Sequence, residues 1–274
     1  MSILTDVHTH TAFSMDGIDD IFTMLEKAKA LHLAYWGISE HFDYDYYVDG
    51  ISFDGEPAAF TDAEKYFSTA RKLQRENPSL RILVGGELGF TQNTAVNQYY
   101  TALIERYQPD FIVNSVHTQG KYDYYQRQAF LGKDKSTAYR EYLSLVRKSL
   151  DVDYPYDVVG HIGYPTRFAP YEHKALDYAE FPQEIDDVLK TMIRKDKILE
   201  LNSSVKGLDT PCLPSPSIIS RYFELGGRNV SFASDAHGAE RLADGREQVV
   251  ALLKEIGFTY ITVPYKGQKI KVEI

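Results

Sequence analysis

The chain has 274 residues, 43% hydrophobic and 25% charged, with a formal net charge of -9. A chain this long buries a large core without staples, and its acidic balance argues against a sequence-independent nucleic-acid binder, which needs a basic surface. No apolar stretch approaches the roughly 20 residues that span a bilayer, and no basic-then-apolar leader opens the chain. The single cysteine, Cys212, excludes an internal disulfide and fits a reducing, cytoplasmic setting.

Short apolar runs alternate with helix-patterned stretches along the whole length. The first run, residues 3–7, leads into His8-Thr9-His10, with Asp16 after a tight turn. Residues i and i+2 of a strand point to one side, so His8 and His10 present two imidazoles to one point, within reach of a carboxylate six residues on. Imidazole plus carboxylate suits divalent transition metals. The later runs are 35–38, 81–85, 111–113, 158–160, 198–201, 230–233 and 260–263, and the helical stretches are about 18–32, 61–77, 94–107, 136–150, 182–196, 216–226 and 240–256. In the first helical stretch Ile21, Met24, Leu25 and Ala28 form a stripe at i, i+3, i+4 and i+7, as on one helix face. This alternation predicts parallel strands joined by right-handed crossovers. The near-continuous apolar character of the runs predicts strands covered on both faces. With no linker, repeat or low-complexity segment, residues 1–274 read as one α/β barrel domain. Two polar, aromatic stretches, 42–60 and 118–135, interrupt the rhythm as long loops, which in compact domains usually carry function.

The strongest signal lies just past the ends of most runs, the run 198–201 ending instead in Asn202. Run 35–38 is followed by Ser39-Glu40-His41, 81–85 by Gly86-Glu87, 111–113 by Asn114-Ser115-Val116-His117, 158–160 by His161, and 230–233 by Ser234-Asp235-Ala236-His237. α/β barrels keep their chemistry at the C-terminal strand ends. Six of the eight histidines fall there; the other two, His32 and His173, do not. The spacing of Asp235 and His237 repeats that of His8 and His10, and in a closed barrel first and last strands are neighbours. Any one of these fragments is commonplace. Together, His8, His10, Asp16, His41, Glu87, His117, His161, Asp235 and His237 exceed the four to six ligands of one ion and suit two or three.

This ordered set resembles the PHP (polymerase and histidinol phosphatase) family over residues 3 to about 263. Within the family the pattern is most similar to the monofunctional histidinol-phosphate phosphatases, through Leu199-Glu200-Leu201-Asn202, Lys206 and Pro214-Ser215-Pro216. The resemblance implies a distorted (β/α)7 barrel with three divalent transition-metal ions, for which this ligand mix permits Zn, Mn or Fe. It implies His8, His10, Glu87 and Asp235 around the first ion, Glu87, His117 and His161 around the second, and Asp16, His41 and His237 around the third. It also implies hydrolysis of L-histidinol phosphate to L-histidinol and phosphate, a step of histidine biosynthesis. One departure is Gly163, where relatives often carry an acidic residue two places after the Gly-His histidine.

The chemistry expected is in-line attack by a metal-bridging hydroxide, since metals lower the pKa of bound water. Asp235, with His237 beside it, is the candidate catalytic group, and either Asp235 or the third ion assists the leaving oxygen. Candidate substrate contacts are Ser39, Phe42, Arg167, Asn202 and Lys206. The acidic and aromatic loop from Phe42 to Tyr47 suits the ammonium and imidazole of histidinol. The partner expected is a small phosphate ester, with no nucleic acid and no membrane. The alternatives are a PHP phosphoesterase for a nucleotide, an oligonucleotide end or a phosphotyrosine, and a non-catalytic metal-binding module.

Overall fold

The computed structural model describes residues 4–53 and 56–274. Residue 3, the expected start of the first strand, and residues 54 and 55 of the first long loop lie outside the described residues. The fold is α/β, with parallel strands and helices in alternation. One sheet runs Thr5–Asp6, Tyr35–Ile38, Arg81–Val84; the other runs Val230–Ala233, Ile198–Asn202, Val158–Val159, Ile112–Ser115, Gly86–Gly89. Every pairing in both sheets is parallel.

The two sheets meet at Gly85, between strands Arg81–Val84 and Gly86–Gly89. A Cβ there would lie 2.4 Å from the Phe111 ring, so only glycine fits this close approach. Tyr66, buried on the adjacent helix, clamps the junction by donating its hydroxyl to Ile38 O at 3.0 Å and Gly85 O at 2.8 Å. On the far side Val7 N donates to Phe232 O at 3.3 Å and Asp235 N to His8 O at 3.0 Å, linking the first strand to the last parallel one.

Seven helices fall close to the expected stretches: α1 Ile21–Ala30, α3 Ala63–Glu76, α4 Thr94–Tyr107, α5 Lys135–Ser149, α6 Pro182–Arg194, α7 Pro216–Glu224 and α8 Arg246–Ile256; α2, Tyr44–Asp49, lies where a loop was expected. α1 buries the predicted stripe Ile21, Met24, Leu25 and Ala28, and Asp20 caps it by accepting from Phe22 N and Thr23 N. Such a cap satisfies backbone donors that the first turn leaves free. Asp62, Asn93 and Asp134 cap α3, α4 and α5 in the same way.

Three expectations need correction. The stretch 240–256 is not one helix, because Ala243 and Gly245 adopt left-handed backbone (φ 59° and 74°) and separate a short turn at Ala239–Arg241 from α8. The run at 260–263 is not a parallel strand. It lies in Tyr260–Tyr265, which pairs antiparallel with Gln268–Glu273 through a two-residue turn with positive φ at Lys266 and Gly267, the geometry favoured in tight hairpins. The long loops also carry structure of their own. The first contains α2 and a small hairpin, Ser52–Phe53 with Glu56–Pro57; the second contains the hairpin Thr118–Gln119 with Tyr122–Asp123. Among the described residues no helix is long and apolar enough to cross a membrane.

Candidate metal centre and substrate cavity

The strands end at one place, and their last side chains meet there. His8 and His10 point the same way, with Nε2 atoms 3.0 Å apart. Glu87 sits at the middle. Its Oε2 lies 3.2 Å from His8 Nε2, 3.5 Å from His10 Nε2 and 3.1 Å from His41 Nδ1. Its Oε1 lies 3.2 Å from His117 Nε2 and 2.9 Å from His161 Nε2, and accepts from Ser115 Oγ at 2.5 Å. One buried carboxylate thus faces two histidine groups, one with each oxygen.

The outer side is formed by Asp16, His41 and His237. Asp16 is 3.1 Å from His237 Nε2 and 3.8 Å from His41 Nε2. The rings of His41 and His237 each stack on His10 with centroids 4.2 Å apart. Asp235 completes the set, with Oδ1 3.5 Å from His10 Nε2 and 3.7 Å from His237 Nδ1. The spacing of Asp235 and His237 is not strand geometry. The strand stops at Ala233 and Asp235 has a left-handed backbone, φ 53°, a conformation that marks constrained functional positions in a non-glycine residue. It is held by Asp235 N to His8 O and by His10 N to Ala236 O at 2.8 Å.

All nine predicted donors therefore converge. Three triads have donor atoms within 4.8 Å of one another: His8, His10 and Glu87; His41, Glu87 and His117; His10, His41 and His237. Pairs of imidazole nitrogens face each other at 3.0 Å (His8, His10) and 3.3 Å (His117, His161). That arrangement is repulsive if both carry protons and natural if both donate lone pairs to a cation, so the residues fit divalent metal. The electrostatics show the same tension. Burial, and the neighbouring His41 and His237, push His10 down to about 3. Burial opposes charge on His41 as well, but Glu87, Asp43 and Asp16 outweigh it and push the imidazole up to about 10. For Glu87, burial favours the neutral acid, yet His8, His117 and His41 hold its carboxyl well below the usual range.

The centre opens into a cavity of about 820 Å3, in the size range of small-molecule sites. Arg167, Lys206, Asp43, Tyr46, Asp123 and Tyr164 line it, and the Arg167 guanidinium lies over the Tyr164 ring, 5.3 Å from its centroid. Arg167 is buried, pairs with Asp235 Oδ2 at 3.1 Å, and leaves its Nε without a partner. Asp43 bridges two of the histidines, with Oδ2 3.0 Å from His41 Nδ1 and Oδ1 3.3 Å from His117 Nδ1. Asp123 accepts from the hydroxyls of Tyr46 and, at 3.1 Å, Tyr164.

Three expected substrate contacts lie elsewhere. Phe42 has no exposure; it stacks on Phe67 with centroids 5.7 Å apart and belongs to the core. Ser39 is fully buried, with its hydroxyl directed at Thr9 O. Asn202 is also fully buried and holds Arg167 instead of lining the cavity. Of the loop after His41, Asp43 and Tyr46 reach the cavity, Tyr44 stacks on Tyr99, and Tyr47 is exposed. Sequence reasoning did not single out Glu200 or Glu40 for the site. Glu200 accepts from His8 Nδ1, and Glu40 accepts from the hydroxyls of Thr11 and Ser14 to shape the turn before Asp16. The available signal was an acidic residue beside or inside an apolar strand, which must find partners there.

Comparison with known proteins fits this geometry. The chain is 28% identical over 271 residues to a histidinol-phosphatase of Lactococcus lactis subsp. lactis, covering 97% of this chain and 95% of that one. It is 28% identical over 232 residues to a probable histidinol-phosphatase of Clostridium acetobutylicum, covering 85% and 86%. Among solved structures, histidinol phosphate phosphatase from Lactococcus lactis subsp. lactis, complexed with zinc, L-histidinol and phosphate, superposes with a TM-score of 0.84 at 26% identity, covering 98% of this chain and 99% of that one. The PHP domain profile matches residues 6–204, well over half of the chain, and the chain belongs to the PHP family.

Proposed function

We propose that the chain is a metal-dependent phosphomonoesterase that hydrolyses L-histidinol phosphate to L-histidinol and phosphate. The observation that carries this reading is Glu87, a carboxylate whose two oxygens each face a different histidine group beneath a cavity lined by both basic and acidic side chains. The near-full-length relatives named histidinol-phosphatase support the substrate. We assign the metal-binding role to His8, His10, Asp16, His41, Glu87, His117, His161, Asp235 and His237, for up to three ions, with zinc favoured by its presence in the Lactococcus structure. The parallel strands then form a closed, distorted (β/α)7 barrel spanning the chain as one domain, a reading supported by the hydrogen bonds from Val7 to Phe232 and from Asp235 to His8. The unpaired, buried Cys212 supports a reducing, cytoplasmic location.

When bound, divalent ions lower the pKa of water and neutralise phosphate charge. The protein supplies the rest. Arg167, which lines the cavity, receives the phosphate oxygens through charge-assisted hydrogen bonds, and Lys206 adds charge. Asp235 has its burial outweighed by His10, Arg167 and His8 and is held well below the usual carboxylate range. It is therefore ionised, and its place among the donors beside the cavity assigns it the transfer of a proton from the attacking water to the departing alkoxide. Asp123 and Tyr46, which also line the cavity, accept the ammonium and imidazole end.

The test is a panel of phosphate monoesters with zinc-loaded protein. Histidinol phosphate should rank first by kcat/KM. A nucleotide or phosphotyrosine ranking above it would replace the substrate assignment while leaving the metal centre.

A further inference from the structure

The strand Ile198–Asn202 buries a carboxylate in its middle. Glu200 has no exposure, and both its oxygens are used. Oε2 accepts from His8 Nδ1 at 2.6 Å; Oε1 accepts from the His161 backbone N–H at 3.1 Å and from Asn202 Nδ2 at 2.9 Å. Asn202, two residues on and on the same side of the strand, extends the chain of contacts. Its Oδ1 accepts from Arg167 Nη2 at 2.8 Å and from Ser204 N at 2.9 Å, and its Nδ2 is 3.3 Å from Asp235 Oδ2. The amide orientation is dictated by chemistry. A guanidinium only donates and an ionised carboxylate only accepts, so oxygen faces Arg167 and nitrogen faces the two acids.

This geometry orients the His8 ring. With Nδ1 held against Glu200, its Nε2 is aimed at Glu87 and His10. A carboxylate behind a ligating imidazole raises its basicity and fixes its ring. The same strand fixes the guanidinium through Asn202. We propose that Glu200 and Asn202 are positioning residues that align, from one strand, the imidazole of His8 for metal and the guanidinium of Arg167 for phosphate; this rests on the phosphatase reading above.

The two residues act on different readouts. Glu200→Gln keeps the side-chain volume but offers one acceptor oxygen where three N–H groups now converge, and brings an NH2 that faces donors. Zinc affinity should fall about 10- to 100-fold, with kcat reduced more than KM is raised. Asn202→Ala releases Arg167, so KM and the inhibition constant for inorganic phosphate should rise about tenfold, the size of one charge-assisted hydrogen bond, with a smaller loss of zinc affinity than in Glu200→Gln, because Asn202 also touches Glu200 and Asp235. A role limited to packing would lower thermal stability and leave both constants in place.

The experiment measures zinc Kd by chelator competition, inhibition by inorganic phosphate and thermal unfolding for the full chain and both variants. The expected result is a split, with Glu200→Gln weakening zinc and Asn202→Ala weakening phosphate. A wild-type chain that neither binds zinc nor hydrolyses histidinol phosphate overturns the phosphatase reading and the alignment role with it. An active wild type whose folded variants match it in zinc Kd and phosphate inhibition overturns the alignment role alone. If Glu200→Gln does not fold, Asn202→Ala decides, and unchanged phosphate inhibition rejects the proposal.

Discussion

The floor and the rim of the candidate metal centre are built differently. At the floor, His8, Glu87 and His161 are at most 3% exposed, sit on or directly after strands, and are braced by Glu200 and Ser115. At the rim, Asp16 is 54%, His237 25% and His41 15% exposed, and Asp16 and His237 ride on turns beyond the strands. Strand ladders place the floor donors, so their positions are set by the fold itself. The rim depends on local devices: the Glu40 contacts to Thr11 and Ser14, and the left-handed backbone of Asp235. A rigid floor with a solvent-facing rim leaves one face of the cluster open for substrate, as a catalytic site requires.

The contrast can be broken by removing donors in turn. Glu87→Ala takes a group from two histidine clusters at once; kcat/KM should fall about 10³-fold or more, with most of the bound metal lost by elemental analysis. Arg167→Ala leaves the donors in place and removes a charge-assisted phosphate contact, so KM should rise about 10- to 100-fold in steady-state kinetics with metal content unchanged. Asp16→Asn touches only the rim and should lower kcat/KM about tenfold, with no more than one metal equivalent lost. A loss equal to that of Glu87→Ala would erase the distinction between floor and rim.

Proton bookkeeping sharpens it further. In the metal-free chain His41, pushed up to about 10, is protonated at neutral pH, whereas His10, pushed down to about 3, is not. Metal binds neutral imidazole, so loading must expel the His41 proton and none from His10. Affinity should therefore weaken as pH falls, and zinc added to a weakly buffered metal-free chain should acidify the solution. Zinc binding that is independent of pH between about 6 and 8 would contradict this.

Most of the centre was legible in the sequence because strand ends are visible as apolar runs, five of them with a metal-capable residue just past the end: His41, Glu87, His117, His161 and Asp235 all carry that mark. The features that escaped depend on direction rather than on position. Phe42 comes next to a ligand in sequence but points into the core against Phe67. Asp235 reaches the centre through positive φ, which the spacing to His237 does not reveal. Glu200 was visible as an acid inside the apolar run 198–201, yet its partner, His8, is 192 residues away, a separation that only the folded chain closes.

The central claim is that side chains from distant strand ends cage divalent ions. Elemental analysis of the chain purified without chelators, beside Glu87→Ala prepared identically, tests it most directly. The account predicts two to three equivalents of zinc, manganese or iron in the wild type, a large loss in the variant, and activity that disappears with chelation and returns with metal. Less than one equivalent in a folded wild-type chain that hydrolyses histidinol phosphate in the presence of chelator would contradict it.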